Sequence, residues 1–241
     1  MRRADAFDVI GFDADDTLWK SEDGFREAEA LFFDLVSPFT PNGIDLAESL
    51  RAVEFSNISV SGYGVKAFGL SMVEAAVTAT AGAVPSSVLG QLVDHVHDML
   101  RQPVELLNHV PETLSAVAAT HQLVLITKGD LVHQTRKIRT SGLEHLFTHI
   151  SVVLEKDVQT YARLLSEWGI DAARFAMVGN SVRSDVLPVI ELGGQGIHIP
   201  YHVTWEHEHV DDPNVDIEQL TALSDLPDWL AKDVDAASQA T

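Results

Sequence analysis

Cysteine is absent from the 241 residues. That excludes disulfides, thiolate metal sites and a cysteine nucleophile. Basic residues are few: 16 Lys and Arg stand against 36 Asp and Glu, a formal net charge of −20. Nucleic acid and anionic membrane both need a basic surface, so neither is expected as a partner. Long apolar runs are also missing. The longest uncharged stretch, from Ala75 to Val93, is broken by Thr78, Thr80, Gly82, Pro85, Ser86, Ser87 and Gln91. It reads as a break between two helices, not as the ~20 apolar residues of a membrane span. After Met1-Arg2-Arg3, Asp5 and Asp8 interrupt any apolar segment, which argues against a secretory signal. The expectation is a soluble, cytoplasmic protein.

What is present is enough apolar residue for a core: 46% hydrophobic against 22% charged. Phe7 to Phe12 reads as a buried strand ending at the acidic cluster Asp13-Ala14-Asp15-Asp16. From Ser21 the period becomes helical, with Phe32, Leu31 and Leu35 recurring and Glu22 and Asp23 in the first turn. Asp45 and Glu48 have the spacing of a capping box. The loop Ser61-Gly62-Tyr63-Gly64 separates that helix from one carrying Leu70, Val73 and Val77. Val88, Leu92, Val96 and Leu100 trace a further apolar stripe. Residues 20–103 therefore read as an all-helical insert.

After Pro103, strands and helices alternate. Strands are expected at Leu123–Ile126, His149–Leu154, Phe175–Val178 and Ile197–Ile199. Helices are expected from Pro111 to about Thr120, at Gln134–Thr140, through Val158–Trp168 closed by Gly169, and at Val182–Leu192, with Pro188 tolerated. A short helix is expected near Asp216–Leu223, followed by a loose end. This rhythm predicts an α/β protein: a parallel sheet of about five strands covered on both faces, built from residues 1–19 and 104–241.

Four polar clusters each follow an apolar strand. They are Asp13, Asp15 and Thr17; Thr127-Lys128-Gly129; Lys156; and Gly179-Asn180-Ser181 with Asp185. A parallel sheet brings all four to one edge. Of two carboxylates at Asp-x-Asp, one can act as nucleophile and the other as general acid and base. Their mutual repulsion favours a hard cation such as Mg²⁺, and Asn180 and Asp185 would add oxygens. Thr127 and its neighbouring N–H groups can hold an anionic oxygen, and Lys156 can neutralise charge. Mg²⁺, Lys156 and Lys128 would then make a local positive site inside an acidic molecule. Phosphoryl transfer to Asp13 followed by hydrolysis suits these parts best.

FDVIGFDADDTL at 7–18, LVLITKGD at 123–130, VVLEKD at 152–157 and MVGNSVRSD at 177–185 resemble, in this order, the four motifs of the haloacid dehalogenase-like superfamily. The resemblance implies a Rossmann-like three-layer core, Mg²⁺, and an aspartyl-phosphate intermediate on Asp13. It implies that Asp15 is the general acid and base, that its carbonyl touches the metal, and that residues 20–103 are a helical cap. Asn180 departs from the usual pattern, where an Asp stands. The acid at Asp15 points to a phosphate substrate, since the founding dehalogenases lack it and use no metal.

The substrate expected is a small phosphorylated metabolite. In the insert, Tyr63, Lys66 and Phe68 are candidates for choosing it; the plainer reading puts Tyr63 and Phe68 in the insert's core and leaves Lys66 exposed. His198, His202, His207 and His209 match no zinc spacing and read as surface or structural residues. A dehalogenase or phosphomutase on the same fold, and a partner-binding protein without turnover, are the alternatives.

Overall fold

The structure, a computed structural model, describes residues 3–203, 205, 208 and 215–232. His207, His209 and the chain end expected to be loose lie outside the described residues. In chain order the elements are β1 (Val9–Phe12), α1 (Glu22–Val36), α2 (Leu46–Ser61), α3 (Val65–Ala79), α4 (Ser86–Arg101), α5 (Val110–Ala118), β2 (Gln122–Lys128), α6 (Leu131–Thr140), β3 (His149–Val153), α7 (Val158–Trp168), β4 (Phe175–Gly179), α8 (Leu187–Glu191), β5 (Gln195–His198), β6 (Glu218–Gln219) and α9 (Leu226–Ala231).

The strands form one parallel six-stranded sheet in the order β3-β2-β1-β4-β5-β6. In register, Phe12 lies beside Leu125 on one side and Val178 on the other. Side chains alternate across the pleat. Ile10, Phe12, Leu123, Leu125, Ala176 and Val178 join one apolar layer with α5 and α9 through Leu114, Val117, Leu226 and Trp229. Val9, Val124, Ile126, Phe175 and Met177 face the other way, toward Tyr161, Leu164 and Leu165 of α7 and Val189 of α8. Two buried faces explain why these strands are nearly continuous apolar runs. The strand order reverses between β1 and β4, the switch point at which open α/β sheets bind ligands beyond the strand ends.

The chain divides into two compact units. The first, residues 1–20, 104–127 and 137–241, holds the sheet. The second, residues 21–103 and 128–136, is helical. Its own core gathers Ala28 and Phe32 of α1, Leu50 of α2, Phe68, Met72 and Ala76 of α3, and Val88 and Leu92 of α4. Asp45 caps α2 by accepting from the N–H groups of Ala47 and Glu48 at 2.9 and 3.1 Å.

Two stretches differ from expectation. Residues 216–223 do not form a helix. Glu218–Gln219 add an edge strand to β5, and the helix begins only at Leu226, with Pro227 in its first turn. Between Val182 and Leu192 the helix is not uniform. Val182–Val186 is a π-helical turn and α8 follows. Pro188 has no N–H to give the carbonyl of Ser184 four residues back; the buried Tyr161 hydroxyl donates to that carbonyl instead, at 3.1 Å.

Candidate active site

Asp13 follows β1 and is anchored there by its N–H, which donates to the Val178 carbonyl at 2.9 Å. The chain then turns sharply. Asp16 adopts φ +62, a left-handed conformation that Asp tolerates better than most residues. The Ala14 carbonyl accepts the N–H groups of Thr17, Leu18 and Trp19. The turn brings the Thr17 hydroxyl back to Asp13, where it donates to Oδ2 at 3.1 Å.

Lys156, beyond β3, is 3% exposed and reaches two carboxylates with one ammonium. Its Nζ donates to Asp13 Oδ1 and, at 2.7 Å, to Asp185 Oδ1. Asp185 sits in the π-helical turn, and its Oδ2 accepts the Ser181 N–H at 3.0 Å. Gly179 makes room for that carboxylate: a Cβ there would lie 2.1 Å from Asp185 Oδ2. The turn is braced by Glu208, whose Oε2 accepts the hydroxyls of Ser181 and Ser184.

Asp15 is held separately. Its Oδ1 accepts Trp19 Nε1 at 2.5 Å and Lys137 Nζ. Lys137 also lies 5.9 Å from the Trp19 ring.

Asn180 meets the cluster from β4. One terminal atom of its amide lies 3.2 Å from both the Asp15 carbonyl and Asp13 Oδ2. As nitrogen, that atom donates to both oxygens; as oxygen, it faces those two acceptors and has one long donor, the Thr17 hydroxyl at 3.4 Å. The oxygen orientation makes a triad of hard donors: one carboxylate, one carbonyl and one amide. Neighbouring ligands of octahedral Mg²⁺, each at about 2.1 Å, lie about 3 Å apart, so the spacing fits such an ion. Among the described residues no three His, Cys, Asp or Glu side chains form a metal-binding group. The fit therefore rests on the carbonyl and the amide as much as on Asp13. Both Asp185 oxygens are already engaged by Lys156 and Ser181.

Charge in the cluster is unbalanced. Asp13, Asp15 and Asp185 outnumber Lys156 and Lys137. Burial pushes the Asp13 carboxyl up to about 7; Lys156 pulls it down, while Asp185 and Asp15 push it higher. Burial works against the Lys156 ammonium as well, but Asp13 and Asp185 outweigh it and keep the amine protonated.

Of the residues singled out in the sequence, Asp13, Asp15, Thr127, Lys156, Asn180 and Asp185 all belong to the sheet unit. Thr127 is buried near the end of β2. Lys128, Gly129, Tyr63 and Lys66 belong to the helical unit. There the Lys128 ammonium lies 4.6 Å from the Tyr63 ring centre. Lys66 pairs with Asp130 at 2.9 Å, and Asp130 accepts the His133 N–H at the start of α6. Gly129 has φ +131, a conformation that favours glycine. Phe68 is core, as the plainer reading held. His198 is structural: Nε2 contacts the Asn180 carbonyl and Nδ1 contacts Gln219 of β6, at 3.1 and 3.3 Å. Lys137, Trp19 and Glu208 were not foreseen, and no periodicity or motif marks them as site residues; only the fold brings them to the strand ends. Ser181 and Ser184 lie in the fourth motif, but their contact with Glu208 was not foreseen.

The sequence matches the profile of haloacid dehalogenase-like hydrolases over residues 7–193. No curated protein matches it. Among solved structures, a haloacid dehalogenase-like family hydrolase from Xanthomonas campestris is 44% identical, with a TM-score of 0.82, over 92% of this chain and 90% of that one. A 2-haloacid dehalogenase from Pseudomonas syringae pv. Tomato is 22% identical, with a TM-score of 0.62, over 93% and 98%. A predicted phosphoglycolate phosphatase from Haemophilus somnus is 16% identical, with a TM-score of 0.59, over 92% and 96%. The last two share the fold. With its motifs in order on a parallel sheet and its profile matched over most of its length, the chain belongs to the haloacid dehalogenase-like hydrolases.

Proposed function

We propose that this hydrolase cleaves small phosphate monoesters, with Asp13 as nucleophile and Mg²⁺ as cofactor. The observation that carries the reading is the second acid, Asp15, fixed two residues after a buried Asp13 and held by Lys137 and Trp19. An alkoxide leaving group needs a proton; a halide does not. An acid beside the nucleophile is therefore useful for a phosphate ester and idle for a carbon–halogen bond.

An Asp13 oxygen attacks phosphorus as the ester P–O bond breaks, and Asp15 gives its proton to the leaving oxygen. Asp15 then takes a proton from water, which attacks phosphorus, breaks the Asp13–phosphorus bond and frees phosphate. Lys156 keeps Asp13 placed and offsets the charge of the transferring group. The Thr127 hydroxyl, with Lys128 and the Gly129 N–H beside it, is assigned to the phosphoryl oxygens. Asp13, the Asp15 carbonyl and Asn180, with Asp185 beside them, would hold Mg²⁺. The ion would supply charge neutralisation that lets two anions meet. Tyr63 and Lys66 are assigned to substrate choice.

The test is phosphate release from an aryl phosphate with Mg²⁺ and with excess chelator, run beside halide release from 2-chloropropionate. Mg²⁺-dependent phosphate release without halide release is expected. Metal-independent halide release, or phosphate passed to a second hydroxyl with none freed, would overturn the reading.

A further inference from the structure

We propose that the Asn180 amide is a two-position element that serves the site with and without its cation. With nitrogen inward, the amide ties the Asp15 carbonyl to Asp13 Oδ2. With oxygen inward, it becomes the third oxygen of the cation site. The inference rests on the reading that the site takes a divalent ion, and it assigns a role to the departure at this position.

The argument is one of donors and acceptors. One amide terminus lies 3.2 Å from two acceptors. An amide can meet acceptors by turning its nitrogen to them and a cation by turning its oxygen, because the two ends have nearly the same shape. Its backbone does not need to move. The Asn180 N–H donates to Thr17 Oγ1 at 3.1 Å, and the Asn180 carbonyl meets His198 Nε2 at 3.1 Å. Both neighbours fix the main chain, and the further contact of the amide terminus is a long one, to Thr17 Oγ1 at 3.4 Å, which a hydroxyl can make as donor or acceptor.

An aspartate cannot do both. Without a cation it has no N–H to turn toward Asp13 Oδ2 and the Asp15 carbonyl, and sets acceptor against acceptor. With a cation it would add a full charge to the ligand set. Asn180 therefore exchanges metal affinity for a sound metal-free site, and the protein should load and release its ion readily.

The experiment compares thermal melting of the full-length wild type, Asn180→Asp and Asn180→Ala, in chelator and across a Mg²⁺ titration. In chelator, Asn180→Asp should melt about 4 °C or more below wild type. Its midpoint should rise with Mg²⁺ more than that of wild type, with half-saturation at roughly tenfold lower Mg²⁺, as ligand charge count predicts. Asn180→Ala, which can neither donate nor ligate, should melt low in chelator and recover less than either. Equal melting of wild type and Asn180→Asp in chelator, with equal Mg²⁺ shifts, overturns this inference and leaves the metal reading standing. No Mg²⁺ shift in any of the three proteins overturns the metal reading, and the inference with it.

Discussion

Lys156 is the side chain on which the cluster depends. One buried ammonium faces two buried carboxylates, and removing one partner of such a set costs far more than the set itself contributes. Lys156→Met should lower folding stability by about 3–5 kcal/mol at pH 8, read by denaturant unfolding. Asp13→Asn keeps the shape and leaves Lys156 paired with Asp185. It should fold normally and lose at least about 10³-fold in phosphate release, a loss near that of other single catalytic groups. Near-normal turnover in that variant would remove Asp13 from the mechanism. Lys137→Met should lower kcat, with little change in KM, because Lys137 touches Asp15. The acids and Lys156 could be picked out beforehand because their types and strand-end positions carry chemistry. Lys137 and Glu208 could not: a lysine on a polar helix and a glutamate in an acid-rich segment look like solvent-facing residues until the fold places them.

The elements show where local rules suffice. Asp45 and Asp157 both cap helices as their positions suggest, and Gly169 closes α7 with φ +67. The π-helical turn was hidden because it answers a tertiary need. Pro188 deprives the Ser184 carbonyl of a donor, and Tyr161 from another helix supplies one. Tyr161→Phe should therefore destabilise by about 1 kcal/mol through loss of this buried hydrogen bond. The edge strand β6 was missed for a related reason: two residues show no period, and only pairing with β5 defines them.

The helical unit carries its own pH signature. Burial, reinforced by Glu29 and opposed by Arg26, pushes Glu54 on α2 from 4.5 up to about 7. Below pH 4.5 the carboxyl is protonated folded or unfolded. Between 4.5 and 7 the folded state keeps a proton that the unfolded chain has released, so stability falls as pH rises, and the full penalty is present above 7. Glu54→Gln should remove that slope and stabilise the protein by about 1–2 kcal/mol at pH 8, a figure reduced for partial solvent access. An unchanged stability difference between pH 5 and pH 8 would contradict the assignment.

For the molecule as a whole, charge and chemistry pull in opposite directions. A net charge of −20 repels an anionic substrate. At about 10 mM salt that repulsion reaches ~30 Å; at 150 mM it reaches about 8 Å. Raising salt across that range should increase kcat/KM for a phosphate monoester several-fold, whereas a substrate without charge would show no such rise. The alternation of strand and helix after Pro103 made the sheet readable from the sequence, because two buried faces force continuous apolar runs. That residues 128–136 group with the helical unit was not readable. Side-chain pairs such as Lys66–Asp130 and Tyr63–Lys128 join that stretch to positions distant in sequence.

The central claim is that Asp13 attacks phosphorus. It is tested most directly by stopping a turnover reaction in acid and weighing the peptides of the protein. The account predicts one phosphoryl group on the peptide that contains Asp13, absent when the reaction is run with chelator and absent in Asp13→Asn. Continued phosphate release with no adduct, or an adduct on any other peptide, would contradict it.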